Sequence, residues 1–126
     1  NASDVYLSTS QGEGWGLGFS ESASTKLPII APYSTSFIEM SNYGKNAFMV
    51  ENLYPVCHNI DNQLREQVDF YEVGELIKTV AELKFNNSKE LQDRINASYE
   101  WVKKLEWAEV CKRWIEYFKI YFYLMI

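Results

Sequence analysis

Residues Gln11-Gly12-Glu13-Gly14-Trp15-Gly16-Leu17-Gly18 carry a glycine at every second position. The β-prone run Asp4–Thr9 precedes this segment, and Phe19–Lys26 after it has the length of about two helical turns. Glycines between a strand and a helix let backbone N–H groups approach a ligand, and the helix N-terminus adds partial positive charge. The segment therefore predicts a strand–turn–helix unit that holds a phosphorylated ligand.

The rest of the chain repeats this alternation once and then becomes helical. Leu27–Ala31 and Ala47–Val50 are predicted strands, with a loop and a helical turn at 34–42 between them. Glu51–Phe70 is predicted to be an irregular connecting loop. From Val73 onward, apolar residues recur at helical spacing in three amphipathic stripes. The third stripe, which we expect to be a buried helix face, comprises Trp107, Val110, Cys111, Trp114, Ile115, Phe118, Tyr121 and Phe122.

These predicted elements define a fold class. Strands separated by helices imply parallel pairing. We predict a single α/β domain over residues 1–126, with a Rossmann-like parallel sheet flanked by helices and a helical C-terminal part.

Composition and charge exclude several classes of protein. The chain has 126 residues, 47% of them hydrophobic, and a formal net charge of −5, so it is a packed domain without the basic surface of a nucleic-acid binder. Cys57 and Cys111 are far apart and outside metal-binding spacing, which predicts reduced, packed thiols in a cytoplasmic protein. The apolar stretch Trp114–Ile126 contains charges and is shorter than the ~20 residues of a membrane span.

The glycine segment has neither dinucleotide-binding nor P-loop spacing. Glu13–Ala31 instead resembles the E-x7-E segment of the family 4 type retaining glycosyltransferases (glycosyl transferases group 1), in which two glutamates flank a Gly-aromatic-Gly-Leu turn before a Leu-Pro strand. The resemblance continues in the strand at 3–10, in Glu39, in the turn and strand at 44–50, and in the C-terminal helices with Trp107. It covers nearly the whole chain and implies the donor-binding half of a GT-B fold.

The resemblance also implies roles for individual residues. Glu13 would be the catalytic residue, which contacts hydroxyls of the donor sugar, and Glu21 would bind the ribose hydroxyls. The other donor-binding residues would be Gly14, Trp15, Gly16 and Leu17, with the amides of the last three at the sugar or distal phosphate. The donor would be a nucleoside-diphosphate sugar, and the sugar would move to a hydroxyl acceptor with retention. Because the chain contains no Asp-x-Asp pair, the implied transfer uses no metal and no further cofactor.

The chain departs from the family pattern at several positions. Gly18 stands where the family usually has proline, and Lys26 stands where it has glycine, so Lys26 must adopt a helix-ending conformation that glycine adopts more easily. The basic residues that hold the diphosphate and the acceptor-binding N-terminal domain have no counterpart in these residues. We therefore expect most of a donor-binding domain, without its first strands and inactive alone, which is either a fragment of a longer enzyme or the product of a truncated gene.

Other interpretations stay open at this stage. Glu21 in the first turn of a helix would stabilise the helix dipole without binding anything, and Trp15 would serve as readily for packing as for ligand binding. The alternative to an enzyme is a non-catalytic α/β module that acts on a partner protein or membrane surface through its C-terminal aromatic helix. Exposure of that helix in an isolated chain would favour self-association.

Overall fold

The computed structural model describes residues 2–58, 60 and 62–124. Within them the chain forms three strands that alternate with two short helices, then a pair of strands, then three longer helices. In chain order the elements are β1 (Tyr6–Leu7), α1 (Leu17–Ser24), β2 (Ile29–Pro32), α2 (Thr35–Met40), β3 (Phe48–Val50), β4 (Leu53–Cys57), β5 (Leu64–Val68), α3 (Phe70–Phe85), α4 (Lys89–Lys103) and α5 (Trp107–Leu124).

A parallel sheet of order β1-β2-β3 lies at the centre of the described chain. Tyr6 pairs with Ile29 across β1 and β2, and Ile30 pairs with Phe48 across β2 and β3. All four residues of β2 are buried, as expected for a central parallel strand that is covered on both faces. The predicted α/β class with parallel pairing and flanking helices is therefore confirmed.

Each face of this sheet packs against its own cluster of apolar side chains, because successive β2 residues point to opposite faces. Ile29 and Ala31 belong to the first cluster, and Ile30 belongs to the second. The remaining buried members of the first cluster are Phe19, Ala23, Phe37, Met40, Ala47 and Met49, which come chiefly from α1, α2 and β3. Those of the second are Phe48, Val50, Val68, Val73, Val80 and Leu91, from β3, β5, α3 and α4. Trp101 and Val102 of α4 pack against the first cluster, so α4 contributes to both faces.

Helices α3 and α4 lie close to where their apolar stripes predict them. α3 buries Val73 and Val80. Asp69 begins this helix, because its carboxylate accepts hydrogen bonds from the amides of Tyr71 at 2.8 Å and Glu72 at 3.0 Å.

The prediction of an irregular loop over Glu51–Phe70 is wrong. β4 and β5 form an antiparallel pair in which Leu53 lies opposite Val68 and Cys57 lies opposite Leu64. Most side chains of this pair are exposed or half-buried, so the strands lack a clear apolar alternation, and Pro55 within β4 argues against a strand. The pair tolerates this proline because a two-stranded sheet consists of edge strands.

Two further expectations about burial are wrong. Cys57 and Cys111 are both free thiols, as expected, but both are exposed rather than packed. α5 is helical as predicted, but its stripe is not a buried face, since the described side chains from Cys111 to Phe122 are all exposed. Among the described residues, no helix combines the length and apolarity required to cross a membrane.

Candidate functional site

The glycine segment forms the connection from β1 to α1, at the edge of the sheet where the parallel strands end. Gly16 begins α1 with φ 56° and ψ 63°, in the left-handed region, and no side chain of the described residues caps the helix. The first amides of α1 are therefore available to an anion. The Glu13 amide donates to the Thr35 hydroxyl at 3.3 Å, which joins the glycine segment to the chain that follows β2.

The glycines in this connection have two different functions. A Cβ on Gly16 would lie 2.6 Å from Phe37 Cε1, and a Cβ on Gly18 would lie 2.6 Å from the Tyr6 hydroxyl oxygen. Both positions are therefore needed for close packing. For Gly12 and Gly14, by contrast, no atom of the described residues lies within 4 Å of such a Cβ. Their backbone faces open space.

The predicted site residues fall into two groups. Glu13 and Gly14 are exposed on the connection itself, and Gly16 is buried beneath it. Trp15, Leu17 and Glu21 line an open groove of about 870 Å³ between α1, the end of α4 and the start of α5. The other residues that line this groove are Ser20, Ser24, Tyr99, Val102, Lys103, Leu105, Glu106, Trp107 and Val110. The structure thus brings three of the six predicted residues into one groove, and Glu13, Gly14 and Gly16 are not among its lining.

Trp15 connects the glycine segment to α4. Its ring stacks on that of Trp101, with centroids 6.2 Å apart and an interplanar angle of 23°. Trp101 in turn meets the buried Phe19 ring edge-on at 5.7 Å. Trp15 therefore has a packing function, yet 46% of its surface is exposed, so the indole also forms part of the groove wall.

The expectation that Glu21 lies in the first turn of its helix is wrong. α1 begins at Leu17, two residues earlier than predicted, so Glu21 is its fifth residue and the first turn contains no acidic side chain. At 1.5 Å per residue, Glu21 lies about 6 Å along the axis from Leu17. Capping the helix dipole thus does not account for this glutamate. Among the described residues, neither the Glu13 nor the Glu21 carboxylate has a hydrogen bond or an ion pair.

The end of α1 confirms the prediction for Lys26. This residue has φ 58°, the left-handed conformation that glycine usually supplies at a helix end. The Lys26 amide donates to Ala23 O at 3.2 Å, and the Leu27 amide donates to Ser22 O at 3.1 Å. The ammonium lies 4.5 Å from the centre of the Tyr99 ring, which partly offsets the backbone strain.

Sequence reasoning missed Thr35 and Trp101 as contributors to this region. Both contact the glycine segment from more than twenty residues away, so no local pattern identifies them. Within the described ranges, no group of three or more His, Cys, Asp or Glu side chains is arranged to hold a metal ion.

Comparisons with protein-family models, with curated proteins and with solved structures found no match to this chain. The chain is therefore classified by its fold and by the geometry of its site. It is an α/β protein with a small parallel sheet, a glycine-rich turn at the strand ends and flanking helices.

Proposed function

We propose that this chain is the donor-binding part of a metal-independent, retaining glycosyltransferase with a GT-B fold, which transfers a sugar from a nucleoside-diphosphate sugar to a hydroxyl acceptor. One observation carries the proposal. The glycine turn presents an uncapped helix N-terminus at the carboxyl edge of a parallel sheet, and among the described residues the carboxylates of Glu13 before it and Glu21 after it in the chain are unpaired. Resemblance to the E-x7-E segment supports the assignment of these two residues.

The chemistry of the turn suits a donor of this kind. An ionised carboxylate accepts hydrogen bonds from sugar or ribose hydroxyls, and these charge-assisted bonds are stronger than neutral ones. In the proposal Glu13 binds the sugar and Glu21 binds the ribose. The backbone of Gly14, Trp15, Gly16 and Leu17 contacts the sugar or distal phosphate. Amides and the helix dipole stabilise the negative charge that develops on the departing diphosphate.

The proposal assigns the remaining functions to parts of a longer protein. Acceptor binding and the basic residues that hold the diphosphate would lie outside these 126 residues, so this chain alone binds the donor nucleotide weakly and does not turn over. The open groove next to Glu21 is consistent with an incomplete site.

Calorimetric titration with uridine, guanosine and adenosine diphosphates, without added metal, tests the proposal. We expect one of the three to bind in the micromolar to millimolar range. Glu21→Ala should weaken that binding about ten- to a hundredfold, because it removes hydrogen bonds to a charged acceptor. Glu82→Ala, an equal loss of charge on the exposed surface of α3, is the matched control and should bind like the wild type. Equal binding by both variants would exclude Glu21 as a ribose ligand.

The second candidate function is a non-catalytic α/β module that acts through α5. The observation that favours it is the exposure of the aromatic stripe, since Trp107 is 82% exposed and Phe122 is 69% exposed. This function predicts that a correctly folded chain binds none of the nucleotides at millimolar concentration. Binding that Glu21→Ala weakens would exclude it, whereas absence of binding would require the same titration on the longer gene product.

A further inference from the structure

α5 carries a wide apolar face that the described part of the chain leaves uncovered. Seven large side chains on this face are between 48% and 82% exposed: Trp107, Trp114, Ile115, Tyr117, Phe118, Tyr121 and Phe122. The charged side chains Glu109, Lys112, Arg113, Glu116 and Lys119 lie on the opposite face at helical spacing. The helix is thus sharply amphipathic, with an apolar face that is free to receive a partner.

The exposed area is large enough for a specific interface. Aromatic side chains bury roughly 150–250 Å² each, so seven large side chains exposed to this degree present about 800 Å². A standard protein–protein interface buries roughly 800 Å² on each partner. A single helix face therefore matches one half of a stable interface in size.

The spacing of this face fits another helix. Trp107, Cys111, Trp114, Phe118 and Tyr121 follow one another at steps of four, three, four and three residues, the a/d spacing of helices that pack side by side. Three contacts align the rings along the helix before any partner binds. Trp114 stacks on Phe118 at 5.8 Å, Phe118 meets Tyr117 edge-on at 6.3 Å, and Tyr117 lies 4.6 Å from Tyr121.

We propose that α5 packs against α5 of a second copy of this chain, in an antiparallel two-fold dimer. A two-fold interface buries the same face on both copies, so one exposed face supplies both halves of the contact. In the antiparallel register with the greatest overlap, Trp114 lies opposite the partner's Phe118, and Cys111 lies opposite the partner's Tyr121. Cys111, the smallest of these side chains, then faces a large ring, and the Trp114 indole meets a phenyl ring rather than a second indole.

A parallel pair is less favourable for the same side chains. It would place Trp114 against the partner's Trp114 and Cys111 against the partner's Cys111, so the largest side chains would meet in one layer and the smallest in another. Antiparallel helices also align their dipoles favourably. A second copy is the favoured occupant, because the exposed face has the area of one half of a stable interface and repeats the a/d spacing of paired helices.

Sedimentation equilibrium of the full chain tests the dimer. We expect reversible association to twice the 14.7 kDa monomer mass between micromolar and near-millimolar concentration. Phe118→Glu should weaken association by a hundredfold or more, because it places a charge in the contact. Ile120→Glu is the matched control. It makes the same change two positions away, on a side chain that is 60% exposed about 200° around the helix, and should dimerise like the wild type.

Both variants alter exposed positions of α5, so both should keep the wild-type circular dichroism spectrum. A monomeric wild type at near-millimolar concentration would overturn the proposal. So would equal loss of dimer in both variants. A monomer that binds neutral phosphatidylcholine vesicles, and loses that binding with Phe118→Glu, would replace the second copy with a lipid surface.

Oxidative cross-linking tests the antiparallel order. In a Cys57→Ser background, which removes the other exposed thiol, Cys111 should give no covalent dimer. Adding Tyr121→Cys should give a rapid covalent dimer through Cys111 of one copy and position 121 of the other. A covalent dimer formed by Cys111 alone would instead show parallel helices and refute the proposed register.

Discussion

Replacing Gly16 with alanine should destabilise the protein strongly. The residue has φ 56°, and a left-handed conformation costs a side-chain-bearing residue about 1–2 kcal/mol. The new Cβ would also lie 2.6 Å from Phe37 Cε1. Phe37 is 1% exposed and stacks on Phe19 at 5.8 Å, so its ring has little space to move. Overpacking of this kind costs about 1–3 kcal/mol.

The two costs together predict a loss of about 2–5 kcal/mol in the free energy of unfolding. For a chain of this size, that corresponds to a fall in Tm of roughly 8–20 °C. Urea denaturation followed by far-UV circular dichroism would measure the free energy, and a thermal scan would measure Tm. The urea midpoint should fall while the slope of the transition stays constant, since the exposed surface on unfolding is unchanged.

Gly14→Ala is the matched control, two residues away in the same turn. Among the described residues no atom lies within 4 Å of its Cβ, and Gly14 is not one of the glycines with positive φ. We expect its stability to equal that of the wild type or to exceed it by up to about 1 kcal/mol, because alanine restricts the unfolded chain. Equal stability of the two variants, within about 0.5 kcal/mol, would refute the reasoning from strain and close packing.

Two further predictions concern the polar contacts that hold the elements together. Arg94 donates hydrogen bonds to Gly44 O at 2.7 Å and to Ala47 O at 3.0 Å, so Arg94→Ala should lower the free energy of unfolding by about 2–4 kcal/mol, as measured by urea denaturation. Arg94→Lys should recover part of this free energy. An equal and full loss in both variants would mean that the aliphatic stem contributes nothing. The Tyr54 hydroxyl, together with backbone amides, lowers the pKa of Asp69, so the stabilisation from this carboxylate should be complete above the ordinary pKa of 3.8 and disappear as pH falls through the lowered value. Thermal scans from pH 7 to pH 2 should therefore show the Tm of Asp69→Asn below that of the wild type at neutral pH and converging with it in acid; a difference that persists at pH 2 would contradict the linkage.

Local sequence patterns were sufficient to predict most of the helices in the second half of the chain and the strands of the parallel sheet. The 3,4 spacing in α3 and α4 identifies helices because a helix buries one stripe, and Val73, Val80 and Leu91 do lie in the core. The short apolar runs at Leu27–Ala31 and Ala47–Val50, separated by helical turns, were enough to predict parallel strands.

Sequence patterns failed to predict those elements that depend on the pairing of strands rather than on the burial of side chains. β4 and β5 are mostly exposed or half-buried, so their side chains show no alternation that distinguishes a strand from a loop. Their ladder of backbone hydrogen bonds carries no residue-type signal, and Pro55 suggests the opposite. The start of α1 was misplaced for a related reason, since Gly16 begins the helix through its own backbone conformation and not through a capping side chain.

For the candidate site, too, some features follow from local sequence and others only from the tertiary structure. Sequence alone determined that a glycine-rich turn joins a strand to a helix and that Glu13 and Glu21 flank it, because glycine spacing and chain order are local properties. Only the tertiary structure decided that Trp15 packs on Trp101, that Glu21 lines a groove, and that the apolar face of α5 is left uncovered. Periodicity shows which face of a helix is apolar, but whether that face is buried depends on where distant parts of the chain lie.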